Sequence, residues 1–171
     1  LTSLGNRLSF KKEIQSQIDE SSGRRLAILQ FVLDDLPELN IALGHSMGDK
    51  FLCNVAEQLN KLFPNAISLA RTSGDGFGVC VERQSGSEVS DFPSIINELF
   101  DVLLPDVLKM PHLSPRMGLS LYPEDGGHAD RIWQNTNIAL ANTRKVGSPN
   151  YCHYDKHIEA EIHGRVTLNN A

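Results

Sequence analysis

A chain of 171 residues is long enough for one domain with a real core and too short for two comfortable ones. Its hydrophobic fraction of 40% and charged fraction of 22% are ordinary for a globular domain. The net charge of -5 argues against nucleic acid or an anionic membrane as the main partner, and no apolar run approaches the roughly 18 residues of a membrane span.

Phe10, Ile14 and Ile18 recur at helical spacing and predict a first helix over about Arg7 to Asp19, broken by Ser21-Ser22-Gly23. Leu26 to Leu33 is a near-continuous apolar run, the pattern of a strand buried on both faces, and it ends at Asp34-Asp35. Leu36 to Leu43 predicts a short helix carrying Pro37. Ser46 and Asp49, three apart, read as a capping box opening the next helix, whose apolar face holds Phe51, Leu52, Val55, Ala56, Leu59, Leu62 and Phe63. Ile67–Arg71 and Phe77–Val81 predict two strands joined by Thr72-Ser73-Gly74-Asp75-Gly76, in which Asp-Gly is a strong hairpin signal. A polar loop over Gly86–Ser90 precedes a helix over Phe92–Leu104. A strand over Met117–Leu121, a tight loop through Tyr122-Pro123-Glu124-Asp125-Gly126-Gly127, a helix over Ala129–Lys145 and a short strand over Asn150–Tyr154 follow. Asp155 caps a last predicted helix in which Ile158, Ile162 and Val166 fall four apart. That stripe is narrow. It suits either a helix folded back on its own domain or, as slightly preferred, a connector running onward. Both ends of the sequence sit inside patterned segments, which predicts a piece of a longer protein.

Four stretches, in order and in register, are similar to signatures of the bacterial GGDEF (diguanylate cyclase) family. Leu1-Thr2-Ser3-Leu4-Gly5-Asn6-Arg7 resembles the family's D-x-L-T-G-L-x-N-R opening. Asn40 with Gly44-His45-Ser46-Met47-Gly48-Asp49 resembles its N-D-x-x-G-H-x-x-G-D block, and Ala70-Arg71-Thr72-Ser73-Gly74-Asp75-Gly76-Phe77 stands at its A-R-x-G-G-D-E-F. Gly118 to Pro123 and Ile138-Ala139-Leu140 resemble later segments. The resemblance implies an α/β (α+β), ferredoxin-like fold of the nucleotidyl-cyclase type, with a central, mostly antiparallel sheet of about five strands flanked by helices. It places the domain at residues 1–155 and a connector at 156–171. The final Arg165 to Ala171 resembles the helix that leads from GGDEF domains into EAL phosphodiesterase domains, so an EAL domain in the same chain is the expected partner, and the setting is expected to be cytoplasmic, without direct membrane contact by this segment.

Members of the family condense two GTP molecules into cyclic di-GMP, one half-site per subunit of a dimer, so GTP, Mg2+ and a homodimer are what the resemblance implies. That chemistry needs neutralised phosphate charge and a base for the attacking hydroxyl, and carboxylate-held metal ions supply much of the first. Counting back from Gly44, the first-strand metal aspartate falls at Val32, and an aliphatic side chain offers a hard cation no oxygen. Asp34, two residues on, lies on the same strand face and substitutes only if the strand shifts; otherwise it is a solvated strand-end carboxylate. In the hairpin, Asp75 keeps the third-position acid, Gly76 replaces the fourth-position glutamate, and Ser73 replaces the first glycine; Gly74-Asp75-Gly76 is also simply a good turn. Asp34 and Asp75 are therefore a weak metal pair, and the expectation is a degenerate site that binds little or no Mg2+.

The guanine reader is less eroded. Asn40 and Asp49 stand where the family contacts the base, and together they supply a donor and acceptors for its edge. Asp49 suits the capping role equally well, and Asn40 can be read as ending its helix. Arg144 stands near a basic phosphate contact, while Ser148 and Leu36-Pro37 replace other basic positions, so weak GTP binding is expected. The family's inhibitory R-x-x-D site falls at Pro64 to Ile67, without either charge, so no cyclic di-GMP is expected there. Cys53, Cys80 and Cys152 lack metal or redox spacing and read as reduced thiols; His153, His157 and His163 read as solvated surface residues rather than a metal cluster. Three functions stay open: a GTP-sensing regulator of an EAL domain (favoured), a structural or dimerising module, and a working cyclase using Asp34 and Asp75.

Overall fold

In a computed structural model, which describes residues 2–20, 22–84, 92–107 and 114–169, the apolar run from Leu26 becomes the second strand of a six-stranded sheet. In chain order the elements are β1 (Gly5–Asn6), α1 (Arg7–Glu20), β2 (Leu26–Asp34), α2 (Leu36–Leu43), α3 (His45–Leu62), β3 (Ser68–Arg71), β4 (Gly76–Glu82), α4 (Phe92–Val107), β5 (Ser114–Tyr122), α5 (Ala129–Asn142), β6 (Tyr151–His153) and α6 (Lys156–Asn169). The strand order is β1-β3-β4-β2-β5-β6. Contacts of β2 with β4 and β5, and of β3 with β4, are antiparallel, while the outer β1–β3 and β5–β6 pairs are parallel.

The alternation of β2 explains its composition. Ala27, Leu29, Phe31 and Leu33 pack with Leu36 and Leu39 of α2 and Phe51, Leu52, Val55, Ala56 and Leu59 of α3. Leu26 and Ile28 point the other way, into a second cluster with Phe10 and Ile14 of α1 and Ile132 and Trp133 of α5. Helices thus cover both faces of the sheet. Phe10 meets Trp133 edge-to-face at 5.5 Å between ring centroids. On the α5 side the helix backbone comes down almost onto Gly118 of β5: a Cβ there would overlap the Thr136 carbonyl oxygen and stand 2.6 Å from the Leu140 nitrogen.

The expected mostly antiparallel sheet flanked by helices is present, and its six strands include the two-residue β1, which pairs through Gly5 with Ala70 and Asn6 with Arg71. Expectations at the helix starts are corrected. A capping box does form, but on α1: the Ser9 amide donates to Asn6 Oδ1 at 2.8 Å and the Asn6 amide donates to Ser9 Oγ at 2.9 Å. Ser46 and Asp49 do not form one. Helix α3 starts earlier, at His45, with Gly44 at the cap and no side-chain cap bond. The polar loop read at Gly86–Ser90 lies outside the described residues.

Asp155 caps α6 as expected, accepting from the His157 amide at 2.8 Å. Ile158 and Ile162 are half-buried, whereas Val166 is exposed. Polar contacts hold the helix to the domain: Arg131 of α5 grips Glu159 through both carboxylate oxygens at 3.1 and 2.9 Å, Tyr154 Oη donates to Glu159 at 2.6 Å, and Lys145 pairs with Glu161 at 2.7 Å. Tyr154 and Arg131 hold the Glu159 carboxyl below its usual range despite some desolvation. None of the helices among the described residues is long and apolar enough to cross a membrane.

Cys80 is fully buried in β4, and burial, reinforced by the nearby Glu13 carboxylate, pushes its thiol up to about 12. We expect iodoacetamide at neutral pH to spare Cys80 in the folded chain and to modify it after unfolding; mass spectrometry of the labelled peptides checks this. Cys80 labelling at the rate of a free thiol in native buffer contradicts the packing described.

Candidate functional site

The tip of the β3–β4 hairpin is rigid by local bonding. The Thr72 amide donates to the Gly76 carbonyl at 2.8 Å, and the Arg71 guanidinium donates to the Gly74 carbonyl at 2.8 Å. Ser73 Oγ donates to Asp75 Oδ1 at 3.0 Å, and the Leu33 amide donates to the Asp75 carbonyl at 2.9 Å, which ties the tip to the end of β2. Register places Val32 directly across from Gly76. A Cβ at Gly76 would overlap Ser73 Oγ and stand 3.2 Å from Thr72 Oγ1 and 3.5 Å from Val32 Cγ1. The space in which a fourth-position side chain would begin is therefore filled by Ser73.

Beside this tip, between α2 and the start of α3, lies a cleft of about 660 Å³ that brings together Asn40, Asp49, Gly74 and Asp75. Sequence reasoning named these four; it missed that Arg71 and His45 face the same space. Leu36, Pro37, Ile41 and Leu52 supply apolar wall. Asn40 sits within α2, with its amide lying over α3. A Cβ at Gly48 would collide with Asn40 Oδ1, and Cγ would be 3.0 Å away. Gly48 thus permits a close approach that seats the Asn40 side chain. Asp49 is exposed in the first turns of α3 and is not a cap, so its carboxylate is free of that duty.

Two predicted site residues are elsewhere. Asp34 accepts from Arg116 Nε at 2.6 Å and from Arg144 Nη2 at 3.4 Å, and Arg116 also donates to the Thr143 carbonyl. The strand-end carboxylate expected to be solvated is instead flanked by two guanidiniums. Arg144 belongs to this cluster rather than to the cleft. The partners come from β5 and the end of α5, distant in sequence, and no local motif announces them.

A larger hollow, about 880 Å³, lies at the far end of the hairpin against Pro64, Asn65 and Ala66. Its Arg83 donates through Nη1 to both carboxylate oxygens of Glu124 at 3.1 Å. We favour the smaller cleft as the functional candidate because convergent polar groups, not volume, define a site. Among the histidines, His153 is not simply solvated: its Nε2 lies 2.8 Å from Asp125 Oδ2 and the ring is half-buried. His157 and His163 are exposed, and no three His, Cys, Asp or Glu side chains gather among the described residues.

The family described as "Diguanylate cyclase, GGDEF domain" matches residues 1–150. MucR of Pseudomonas aeruginosa, a bifunctional diguanylate cyclase/cyclic di-GMP phosphodiesterase, is 27% identical over 173 residues, covering 98% of this chain and 25% of MucR. The cyclic di-GMP phosphodiesterase NbdA of the same species is 26% identical over 153 residues, covering 88% of this chain and 19% of NbdA. This chain therefore spans a quarter or less of each of these relatives. Among solved structures, the GGDEF domain of TpbB (YfiN) from Pseudomonas aeruginosa aligns with a TM-score of 0.78 at 21% identity, covering 95% of this chain and 96% of that one.

Proposed function

This chain belongs to the GGDEF family, and we propose that it is a degenerate member that reads guanine without condensing GTP and regulates an EAL phosphodiesterase domain of the same protein. The observation that carries the reading is the cross-strand pair Val32–Gly76. These are two of the positions at which the resemblance places metal carboxylates, they face each other across the sheet, and neither has a side-chain oxygen. Asp75 remains, but Asp34 is flanked by Arg116 and Arg144. Hard cations take several oxygen ligands, so this donor set does not fit the family's magnesium.

The base reader is intact by contrast. Asn40 presents a donor and an acceptor, Asp49 accepts from the guanine N1-H and N2-H, and Leu36, Pro37 and Ile41 offer apolar surface to the flat base. Loss of either polar side chain removes its hydrogen bonds to the base, which water partly replaces, leaving a net loss of about tenfold in affinity per residue. Calorimetric titration of GTP is expected to give a weak saturable heat that falls about tenfold in affinity for both Asn40→Ala and Asp49→Ala. The regulatory half is supported by MucR and NbdA, whose names carry cyclic di-GMP phosphodiesterase activity. It predicts GTP-stimulated hydrolysis of cyclic di-GMP by the full-length protein. No heat and no stimulation would remove the sensing role.

A second reading, a dimerising module that binds no nucleotide, draws on the exposed Ile41, Leu43 and Met47 at the α2–α3 junction. Amide spectra unaltered by GTP would favour it.

A further inference from the structure

The turn that follows α5 touches two places at once. Thr143 is buried, and its carbonyl accepts from Arg116, which also grips Asp34. The next residue, Arg144, reaches Asp34 at 3.4 Å, and the one after it, Lys145, reaches Glu161 of α6 at 2.7 Å. Gly147, with φ of +78°, closes the turn, and the Ser148 amide donates to the Lys145 carbonyl at 3.0 Å. Consecutive side chains therefore tie the end of β2, beside the hairpin tip, to the C-terminal helix.

The charges at the two ends are unequally held. Asp34 carries one negative charge between two guanidiniums, leaving the cluster with one excess positive charge. Arg116 is the tight partner, at 2.6 Å and largely covered, while Arg144 is the loose one, at 3.4 Å with its side chain 49% exposed. An anion arriving at the end of β2 would find Arg144 the easier group to recruit. At the other end, α6 is fastened chiefly by charge. Ile158 and Ile162 are half-buried, Val166 and Leu168 are exposed, and beyond Glu159 the Lys145–Glu161 pair is the ionic hold on the helix seen among the described residues.

We infer that the turn at residues 143–147 is a mechanical link: displacement of Arg144 from Asp34 by a phosphate-bearing anion shifts the turn, opens Lys145–Glu161 and loosens α6. The two states are a latched helix, with both pairs made, and a released one, with both broken. Only the identity of the trigger rests on the nucleotide reading above; the link can be worked without ligand.

Hydrogen exchange of the α6 amides in the intact chain tests it. Breaking an exposed ion pair moves a local opening equilibrium by about two- to fivefold, so Lys145→Ala should speed exchange across 158–168 by that factor. The decisive variants are Asp34→Asn and Arg144→Gln, which leave α6 and Lys145 unaltered. Each should speed exchange in α6 to the same degree without ligand, and neither should add to Lys145→Ala when combined with it. Arg144 is half-exposed, so Arg144→Gln stays informative if Asp34→Asn folds poorly. Unchanged α6 exchange in both variants overturns the link. With GTP, wild-type α6 should exchange faster while Arg144→Gln does not respond. If GTP gives no calorimetric heat yet Asp34→Asn loosens α6, the nucleotide reading falls and the link stands. If GTP binds and neither variant moves α6, the link falls alone.

Discussion

Incubated with GTP and magnesium or manganese, and concentrated enough to dimerise, residues 1–171 are expected to form cyclic di-GMP at least about a thousandfold more slowly than a cyclase with a complete carboxylate set. A thousandfold corresponds to about 4 kcal/mol of transition-state stabilisation, which the loss of two hard-cation ligands readily accounts for. The hairpin also predicts that repair one residue at a time fails. In Gly76→Glu the new Cβ meets Ser73 Oγ, so the glutamate enters only after the serine swings away and its bond to Asp75 breaks. In Val32→Asp the carboxylate is introduced at a position only 4% exposed, where a charge without a bound cation costs several kcal/mol. The combination Val32→Asp, Ser73→Gly, Gly76→Glu is the variant expected to regain measurable turnover. Chromatography of the products decides. Cyclic di-GMP from the unmodified chain, lost on Asp75→Ala, would show that the remaining carboxylates suffice.

Gly118→Ala should be the most damaging single-methyl change in the fold. The added carbon would land on backbone atoms of α5, the Thr136 carbonyl and the Leu140 nitrogen, which cannot rotate aside as a side chain can. Helix α5 would have to retreat from β5, loosening Ile132 and Leu140 and straining the buried bond from Ser120 Oγ to the Ile132 carbonyl. Overpacking of this kind costs about 1–3 kcal/mol or more. A destabilisation near the top of that range is expected, read as a lower urea midpoint with an unchanged slope. The contrast is Gly48→Ala, where the obstacle is the Asn40 side chain: stability should change less, while Asn40 is driven from its seat and GTP affinity falls. Equal stability for Gly118→Ala and the wild type would mean that β5 and α5 are not in backbone contact.

What the sequence disclosed and what it hid follow from the range of the forces involved. The run from Leu26 to Leu33 announced a central strand because helices on both faces leave no polar alternation. Asn40, Asp49, Gly74 and Asp75 line one cleft because α2, α3 and the hairpin that carry them are each set by local signals. Long-range polar pairing stayed hidden. Asp34 reads as a bare strand-end acid until β5 brings Arg116 and the end of α5 brings Arg144; His153 reads as a surface residue until Asp125 appears beside it. The helix start was misplaced for a related reason: Ser46 and Asp49 have capping-box spacing, but Gly44, at φ of +84°, lets the chain turn into α3 before them. Strand β1 has two residues and owes its existence to β3.

The central claim is that the cleft binds the base without metal help to the phosphates. Calorimetric titration of GTP with Mg2+ and, separately, with excess chelator tests it most directly. The prediction is equal weak affinity in both, within about twofold, and a comparable affinity for GMP. Tightening of GTP by tenfold or more on adding Mg2+, absent for GMP and abolished by Asp75→Ala, would contradict it.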